Sequence, residues 1–106
     1  MNETQILAHI LAGEAMSCAF PALIAISYMY MENRNRNFYG WAEPDAQTWW
    51  ISYTYWQFND PAPGARFMFS TSDHQLASVQ RILATRGPPV YISQPCANGQ
   101  RLYFYP

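Results

Sequence analysis

The first clear pattern along the chain is an apolar stripe near its beginning that ends in an acidic residue. Four apolar residues and one acid recur at the spacing of a single helix face, and they are Ile6, Leu7, Ile10, Leu11 and Glu14. The pattern predicts a helix over residues 4–15. Gly13 would weaken this helix but would let another group approach its backbone closely. The acid is either a surface or partnered carboxylate, or a catalytic general acid among apolar neighbours.

The next stretch, residues 20–32, is apolar on most of its sides. Leu23, Ile26 and Tyr30 are separated by small residues, and Pro21 suits a first helical turn, where its missing N–H does no harm. The pattern predicts a second helix that is buried at the centre of the domain. The basic and amide-rich segment 33–37 ends this helix, and we expect it to be a solvated loop.

Aromatic residues dominate the middle of the chain. Residues 38–41 place three aromatic residues around a glycine in a predicted loop. These aromatic residues are either core anchors or a platform for a sugar. A third helix is predicted over residues 45–58. Its aromatic residues surround the helix, so some of them must be exposed or face a partner or a cleft, and they are Trp49, Trp50, Tyr53, Tyr55 and Trp56.

The last third of the chain alternates between strand and helix patterns. A strand is predicted over residues 65–70, with Phe67 and Phe69 on one face. Ser72 and Gln75 form a capping-box pattern that predicts a fourth helix from Ser72 to about residue 86. Two further strands are predicted over residues 90–93 and 101–105, on either side of the turn at Asn98-Gly99. The predicted fold is therefore α+β: one domain over residues 1–106, with about four helices around a central buried helix and a small antiparallel sheet.

Composition narrows the classes of function. The chain has 106 residues, of which half are apolar and 17% are aromatic, and its formal net charge is −1. Because it has no basic run, we expect no nucleic-acid partner. A nearly neutral surface rich in Tyr and Trp instead favours an uncharged ligand such as a glycan, which ring faces and hydrogen bonds can bind. No apolar run approaches the ~18 residues of a membrane span.

The remaining sequence signals are weaker. The polar and acidic beginning of the chain lacks the basic region of a signal peptide, so we expect none, and no compartment is assigned. Cys18 and Cys96 permit one disulfide without demanding it. His9 and His74 are isolated and are interpreted as surface or core imidazoles. We therefore expect no metal site and no cofactor.

The order of the motifs resembles a known enzyme family. A helix followed by Ala12-Gly13-Glu14-Ala15 precedes a long apolar helix that ends in Glu32-Asn33-Arg34. The segment from Asp60 to Phe69 then forms an Asp-Pro turn and an aromatic strand. Together they resemble the spore-cortex-lytic cell-wall hydrolases (the SleB-like family) of the lysozyme-like lytic transglycosylases. The chain departs from that family at Met16-Ser17-Cys18, where the family carries Gly-Glu.

The resemblance implies roles for particular residues. Glu14 would be the catalytic general acid and base, and Ala65–Ser70 would form the opposite wall of a glycan cleft near Tyr103 and Tyr105. Asp60 is expected to hold its turn, because Asp before Pro is a common turn opener. Together with the aromatic loop, this gives a predicted substrate-binding set of Tyr39, Trp41, Phe67, Phe69, Ser70 and Tyr103.

Glu14 is the only acidic residue that lies within an apolar pattern. A single such carboxylate favours a lytic transglycosylase over a hydrolase that uses two acids. Asp45, Asp60 and Asp73 each lie at a turn or a helix start, where capping explains them. The predicted function is therefore cleavage of the bond between N-acetylmuramic acid and N-acetylglucosamine in peptidoglycan strands, with Glu14 acting alone. Two alternatives stay open. One is a non-catalytic glycan-binding or structural domain on the same scaffold, and the other is a protein that covers its aromatic helix 45–58 in a dimer.

Overall fold

The computed structural model describes residues 1–15 and 17–106, so Met16, in the predicted connection after the first helix, lies outside the described residues. The fold is α+β, as predicted. Within this range the chain forms four helices and three strands: α1 (Glu3–Ala15), α2 (Phe20–Met31), α3 (Ala46–Thr54), β1 (Phe67–Ser70), α4 (Ala77–Leu83), β2 (Tyr91–Ile92) and β3 (Leu102–Tyr105). Short 3-10 turns follow α3 at Tyr55–Gln57 and precede α4 at Asp73–Gln75.

Helix α2 forms the centre of the core, as its apolar composition predicts. Most of its residues are buried, among them Leu23, Ile26 and Met29. Its buried hydroxyl at Ser27 donates to the Leu23 carbonyl, so no polar group of this side chain is left unpaired. Helices α1 and α3 pack against it and against each other. None of the described helices is both long and apolar enough to cross a membrane.

The three strands form one antiparallel sheet with β3 in the middle. Strand β1 pairs with β3 so that Phe67 lies opposite Tyr105 and Phe69 lies opposite Tyr103. Strand β2 pairs with the other edge of β3 and places Tyr91 opposite Phe104, which is fully buried. The predicted pairing of region 65–70 with the C-terminal strands is therefore confirmed.

The predicted capping box at the start of the fourth helix is wrong. Residues 73–75 form a 3-10 turn, and α4 begins only at Ala77. The Ser72 hydroxyl contacts the Ser70 hydroxyl instead of capping a helix, and Leu76 has extended backbone angles, so the helix cannot run through it. The fourth helix is consequently much shorter than residues 72–86.

The third helix is also shorter than predicted, although its start is well defined. Asp45 caps α3: its carboxylate accepts from the Thr48 N–H, and the Thr48 hydroxyl accepts from the Asp45 N–H. The prediction that some aromatics of this segment are exposed is confirmed, since the exposed fractions of Trp50, Tyr53 and Trp56 are 50%, 55% and 64%.

The two cysteines form a disulfide that joins the connection after α1 to the loop before β3. Cys18 and Cys96 are 78 residues apart in sequence, so the bond closes most of the chain into a loop. A backbone hydrogen bond from Ala97 to Ser17 lies beside it. The sequence permitted this pairing, and the structure contains it.

Candidate functional site

Glu14 lies in the last turn of α1, and backbone amides fix its carboxylate. The Oε1 atom accepts the N–H of Tyr39 at 2.9 Å and the N–H of Gly40 at 2.6 Å. The Oε2 atom forms no hydrogen bond to any described residue. One oxygen is thus held by two donors of the segment between α2 and α3, while the other remains available to a ligand.

Two glycines allow this arrangement, because the backbones of Gly13 and Gly40 touch. A Cβ atom on Gly13 would overlap the Trp41 nitrogen, and a Cβ on Gly40 would lie 2.7 Å from the Glu14 nitrogen. The expectation that Gly13 lets another group come close to the helix is therefore confirmed. Further contacts hold the same segment against α1: the Ala42 N–H donates to the His9 carbonyl, and the Trp41 ring stacks on the His9 ring.

Glu14 opens onto a groove of about 300 Å³ between α1 and the sheet. One side of the groove is formed by Glu14 and by residues of the segment before α3. The other side is formed by β1, by the 3-10 turn after it and by α4. The lining residues are Glu14, Asn35, Asn37, Phe38, Tyr39, Phe67, Met68, Phe69, Asp73 and Val79. A carboxylate at the end of a helix therefore faces an aromatic strand across an apolar cleft.

The structure brings together four of the seven predicted site residues. Glu14, Tyr39, Phe67 and Phe69 all line the groove. The Tyr39 ring is 94% exposed, so the fold does not use it as a core anchor.

The other three predicted residues are not among the described residues that line the groove, and each has local partners. Trp41 stacks on His9 with ring centroids 4.6 Å apart. The Ser70 N–H donates to the Asp73 carboxylate, and the Tyr103 ring packs against His74. Their role in substrate binding stays a prediction.

Asp73 is a groove residue that sequence analysis assigned only to a turn. Its Oδ2 atom does hold the turn, since it accepts the Ser70 N–H at 2.8 Å. The same residue lines the groove together with Glu14, so the groove contains two carboxylates. A spacing pattern could not reveal this, because α1 and the turn after β1 meet only in the folded chain.

The interpretation of residues 33–37 as a solvated loop is wrong for its central members. The Arg34 side chain is only 13% exposed and pairs with Asp60 at 2.6 Å. The Asn35 amide donates to the Arg66 carbonyl, and both Asn35 and Asn37 line the groove. The prediction that Asp60 holds its turn agrees with its second contact, in which it accepts the Ala62 N–H. The sequence signal that could have indicated these contacts is the alternation of Asn and Arg in a chain with few charged residues.

His74 lies in the 3-10 turn after β1, and both of its hydrogen-bond partners belong to the sheet. Its Nδ1 atom lies 2.7 Å from the Ser70 carbonyl, and Nε2 lies 2.8 Å from the Tyr105 hydroxyl. A carbonyl can only accept, so Nδ1 carries the proton, and in the neutral ring Nε2 accepts from the tyrosine. Burial raises the pKa of Tyr105, and the neighbouring Tyr103 raises it further.

The described residues contain no group of three or more His, Cys, Asp or Glu side chains that could hold a metal ion. The groove contains two carboxylates, of Glu14 and Asp73, together with aromatic rings and side-chain amides. No protein-family model, curated protein or solved structure matches the chain.

Proposed function

We propose that this protein cleaves the glycan strand of peptidoglycan and that Glu14 is its general acid and base. The observation that carries the proposal is the position of the Glu14 carboxylate. It is fixed by two backbone amides and opens onto a groove whose far wall is an aromatic strand. The order of motifs that resembles the spore-cortex-lytic hydrolases supports the same function.

In the proposed reaction, Glu14 first donates a proton to the glycosidic oxygen between N-acetylmuramic acid and N-acetylglucosamine. The bond from C1 to that oxygen breaks through an oxocarbenium-like transition state. The C6 hydroxyl of the same muramic acid then attacks C1, and Glu14 takes up its proton. The carboxyl is thereby restored, and a 1,6-anhydro end forms without an enzyme nucleophile.

The groove walls supply the binding contacts that such a substrate needs. The rings of Phe67 and Phe69 are nearly parallel, with an angle of 10° between their planes, and a pyranose can stack on such ring faces. The Arg86 guanidinium lies over one face of Phe67, 4.3 Å from the ring centroid, so that face is not free for a sugar. Asn35 and Asn37 offer amide groups to hydroxyl and acetamido groups. The volume of about 300 Å³ lies at the lower end of the range for small-molecule sites, which suits one or two sugar rings in an open groove.

A Glu14→Gln variant tests the proposal because it keeps the shape of the side chain and removes the exchangeable proton. Clearing of purified cell walls should fall on the order of hundred-fold or more. Glu43→Gln is the matched control, since Glu43 is exposed and does not line the groove. It should clear walls at the parent rate. Equal clearing by both variants would overturn the role of Glu14.

The products of the parent protein test the bond chemistry. Mass spectrometry of the digested walls should show anhydromuramic ends. Reducing muramic ends without anhydro products would instead indicate hydrolysis, with water as the attacking group.

A second candidate function is glycan binding without cleavage. The observation that favours it is the exposed aromatic surface, which includes Tyr39 beside the groove and Trp56 after α3. Sedimentation separates the two functions: a binding domain would pellet with purified walls and leave their turbidity unchanged, whereas the enzyme would clear them.

A further inference from the structure

Arginines are concentrated beside the groove. The chain has six cationic residues, all of them arginine, and three of these line a second cavity of about 400 Å³: Arg34, Arg36 and Arg66. Asn35, Asn37 and Phe67 line both this cavity and the groove that contains Glu14. The two cavities are therefore adjoining parts of one surface.

Two of the three arginines already have anionic partners. Arg34 pairs with Asp60 and lies 3.3 Å from the Glu32 carboxylate. Arg36 pairs with Glu3 at 2.8 Å, and its guanidinium lies over the Tyr30 ring. These contacts hold both side chains in place and balance their charge.

Arg66 differs from both. Its backbone is fixed on both sides, since its N–H donates to the Tyr105 carbonyl and its own carbonyl accepts from Asn35. Its side chain is exposed, and its guanidinium forms no hydrogen bond or ion pair with any described residue. An exposed and unpaired guanidinium on a fixed stretch of backbone suits a planar anion, which it can bind through two parallel hydrogen bonds.

We infer that this cavity binds a carboxylate carried by the muramic acid side chain, with Arg66 as its cationic partner. The inference rests on the proposed function. A strand in the groove has its sugar rings against Phe67 and Phe69, where Glu14 and Asp73 disfavour further negative charge. The anionic substituent of the same strand must leave the groove, and the adjoining cavity offers the unpaired cation. In a strand that bears its stem peptide the lactyl carboxyl is already an amide, so the stem supplies the carboxylate, whereas a strand without its stem offers the lactyl carboxylate itself.

The binding of muropeptide strands to a catalytically inactive variant tests this inference separately from turnover. In the Glu14→Gln background, Arg66→Gln should weaken the Kd for soluble stem-bearing muropeptide strands by about tenfold. Arg81→Gln in the same background is the matched control, because Arg81 is an exposed arginine of α4 outside both cavities, and its Kd should not change. Thermal unfolding verifies that each variant is folded.

Strands whose carboxylates have been converted to amides complete the test. The Glu14→Gln protein should bind them about tenfold more weakly than the native strands, and Arg66→Gln should add no further loss. Strands trimmed to the bare lactyl group, whose carboxylate the trimming frees, show how close to the sugar the anion can lie. The Arg66 effect persists on them if the cavity accepts a carboxylate at the lactyl position, and it disappears if only a carboxylate further along the stem reaches Arg66. An Arg66→Gln effect of equal size on amidated strands, or no effect on any strand, would overturn the inference. Failure of the parent protein to cleave walls would overturn the proposed function and leave these binding results standing.

Discussion

The Glu14 carboxylate accepts the backbone N–H of Gly40 at 2.6 Å, and the two residues belong to segments whose backbones touch. The carboxylate is therefore oriented by main-chain atoms, which have less conformational freedom than a side-chain partner. This orientation depends on the absence of a Cβ at positions 13 and 40. The orientation of the Glu14 carboxylate therefore depends on the contact between α1 and the segment before α3.

Substitution of either glycine should disturb both stability and activity. In Gly13→Ala and Gly40→Ala the new methyl group would meet backbone atoms, which cannot move aside as a side chain can. We expect the free energy of unfolding to fall by about 1–3 kcal/mol and the clearing of cell walls to fall with it, because the Glu14 donors are displaced. Urea unfolding and a turbidity assay measure the two effects.

Gly87→Ala is the matched control for these variants. A Cβ at position 87 meets no atom within 4 Å, and its backbone has no positive φ. This variant should keep the parent stability within about 0.5 kcal/mol. If Gly13→Ala were as stable and active as Gly87→Ala, the close approach would not be what orients Glu14.

The sequence predicted those parts of the fold that depend on local pattern. Helix α2 followed from a stretch that is apolar on most sides, and the strands followed from aromatic runs between turn signals. Gly13 even indicated a close approach to α1. The sequence could not identify Gly40 as the residue that approaches Gly13. The two glycines are far apart in sequence and meet only because the segment before α3 packs against α1.

Most of what the sequence could not show depends on contacts between distant parts of the chain. Arg34 is taken out of solvent by Asp60, 26 residues later, so the composition of the loop alone could not show its burial. The capping pattern at Ser72 failed for a local reason, because its hydroxyl contacts Ser70, two residues earlier, at the end of β1. Asp73 was correctly assigned to a turn, yet it also lines the groove that contains Glu14, and a local pattern cannot show that the folded chain brings these two residues to one groove.

Asp73→Asn distinguishes one-acid from two-acid chemistry. The amide oxygen can still accept the Ser70 N–H, so the turn after β1 should persist. In a lytic transglycosylase with Glu14 as the only acid and base, we expect turnover to fall by no more than about tenfold, far less than in Glu14→Gln. Turnover of the two variants is compared on the same cell walls.

A loss in Asp73→Asn as large as that in Glu14→Gln would contradict this expectation. It would indicate that two carboxylates share the reaction, as in hydrolysis by a glycosidase with an acid and a base or nucleophile. The product analysis should then show reducing muramic ends, so the two measurements check each other.

Removal of the disulfide should destabilise the fold without changing the side chains that line the groove. Cys18 and Cys96 are 78 residues apart, and closing a loop of that length restricts the unfolded chain strongly. In the loop-entropy description the Cys18→Ser, Cys96→Ser double variant should lose about 4 kcal/mol of unfolding free energy. Denaturant unfolding at neutral pH measures this loss.

Reductant provides the control for the disulfide. The parent protein in excess reductant should show the same loss as the double variant, and the double variant should not respond to reductant. A parent protein whose unfolding midpoint is the same with and without reductant would show that the bond contributes little to stability.

Alkaline pH should destabilise the protein through its tyrosines. Burial raises the pKa of Tyr91, and burial is also the main cause of the raised pKa of Tyr55 and Tyr105. The folded state therefore holds these phenolic protons more tightly than the unfolded state, whose tyrosines titrate near 10.0. The free energy of unfolding that these three tyrosines contribute is fully present below pH 10. It is lost as the pH rises through their higher pKa values in the folded protein.

Urea unfolding at intervals from pH 8 to pH 11 measures this dependence. We expect a level free energy of unfolding up to about pH 9 and a decline above pH 10 that becomes shallower in Tyr91→Phe, because Phe has no proton to lose. Tyr53→Phe is the matched control, since it removes the hydroxyl of an exposed tyrosine. The Tyr91→Phe and Tyr53→Phe profiles should therefore differ only above pH 10. A decline that both variants share equally with the parent would assign alkaline unfolding to other groups.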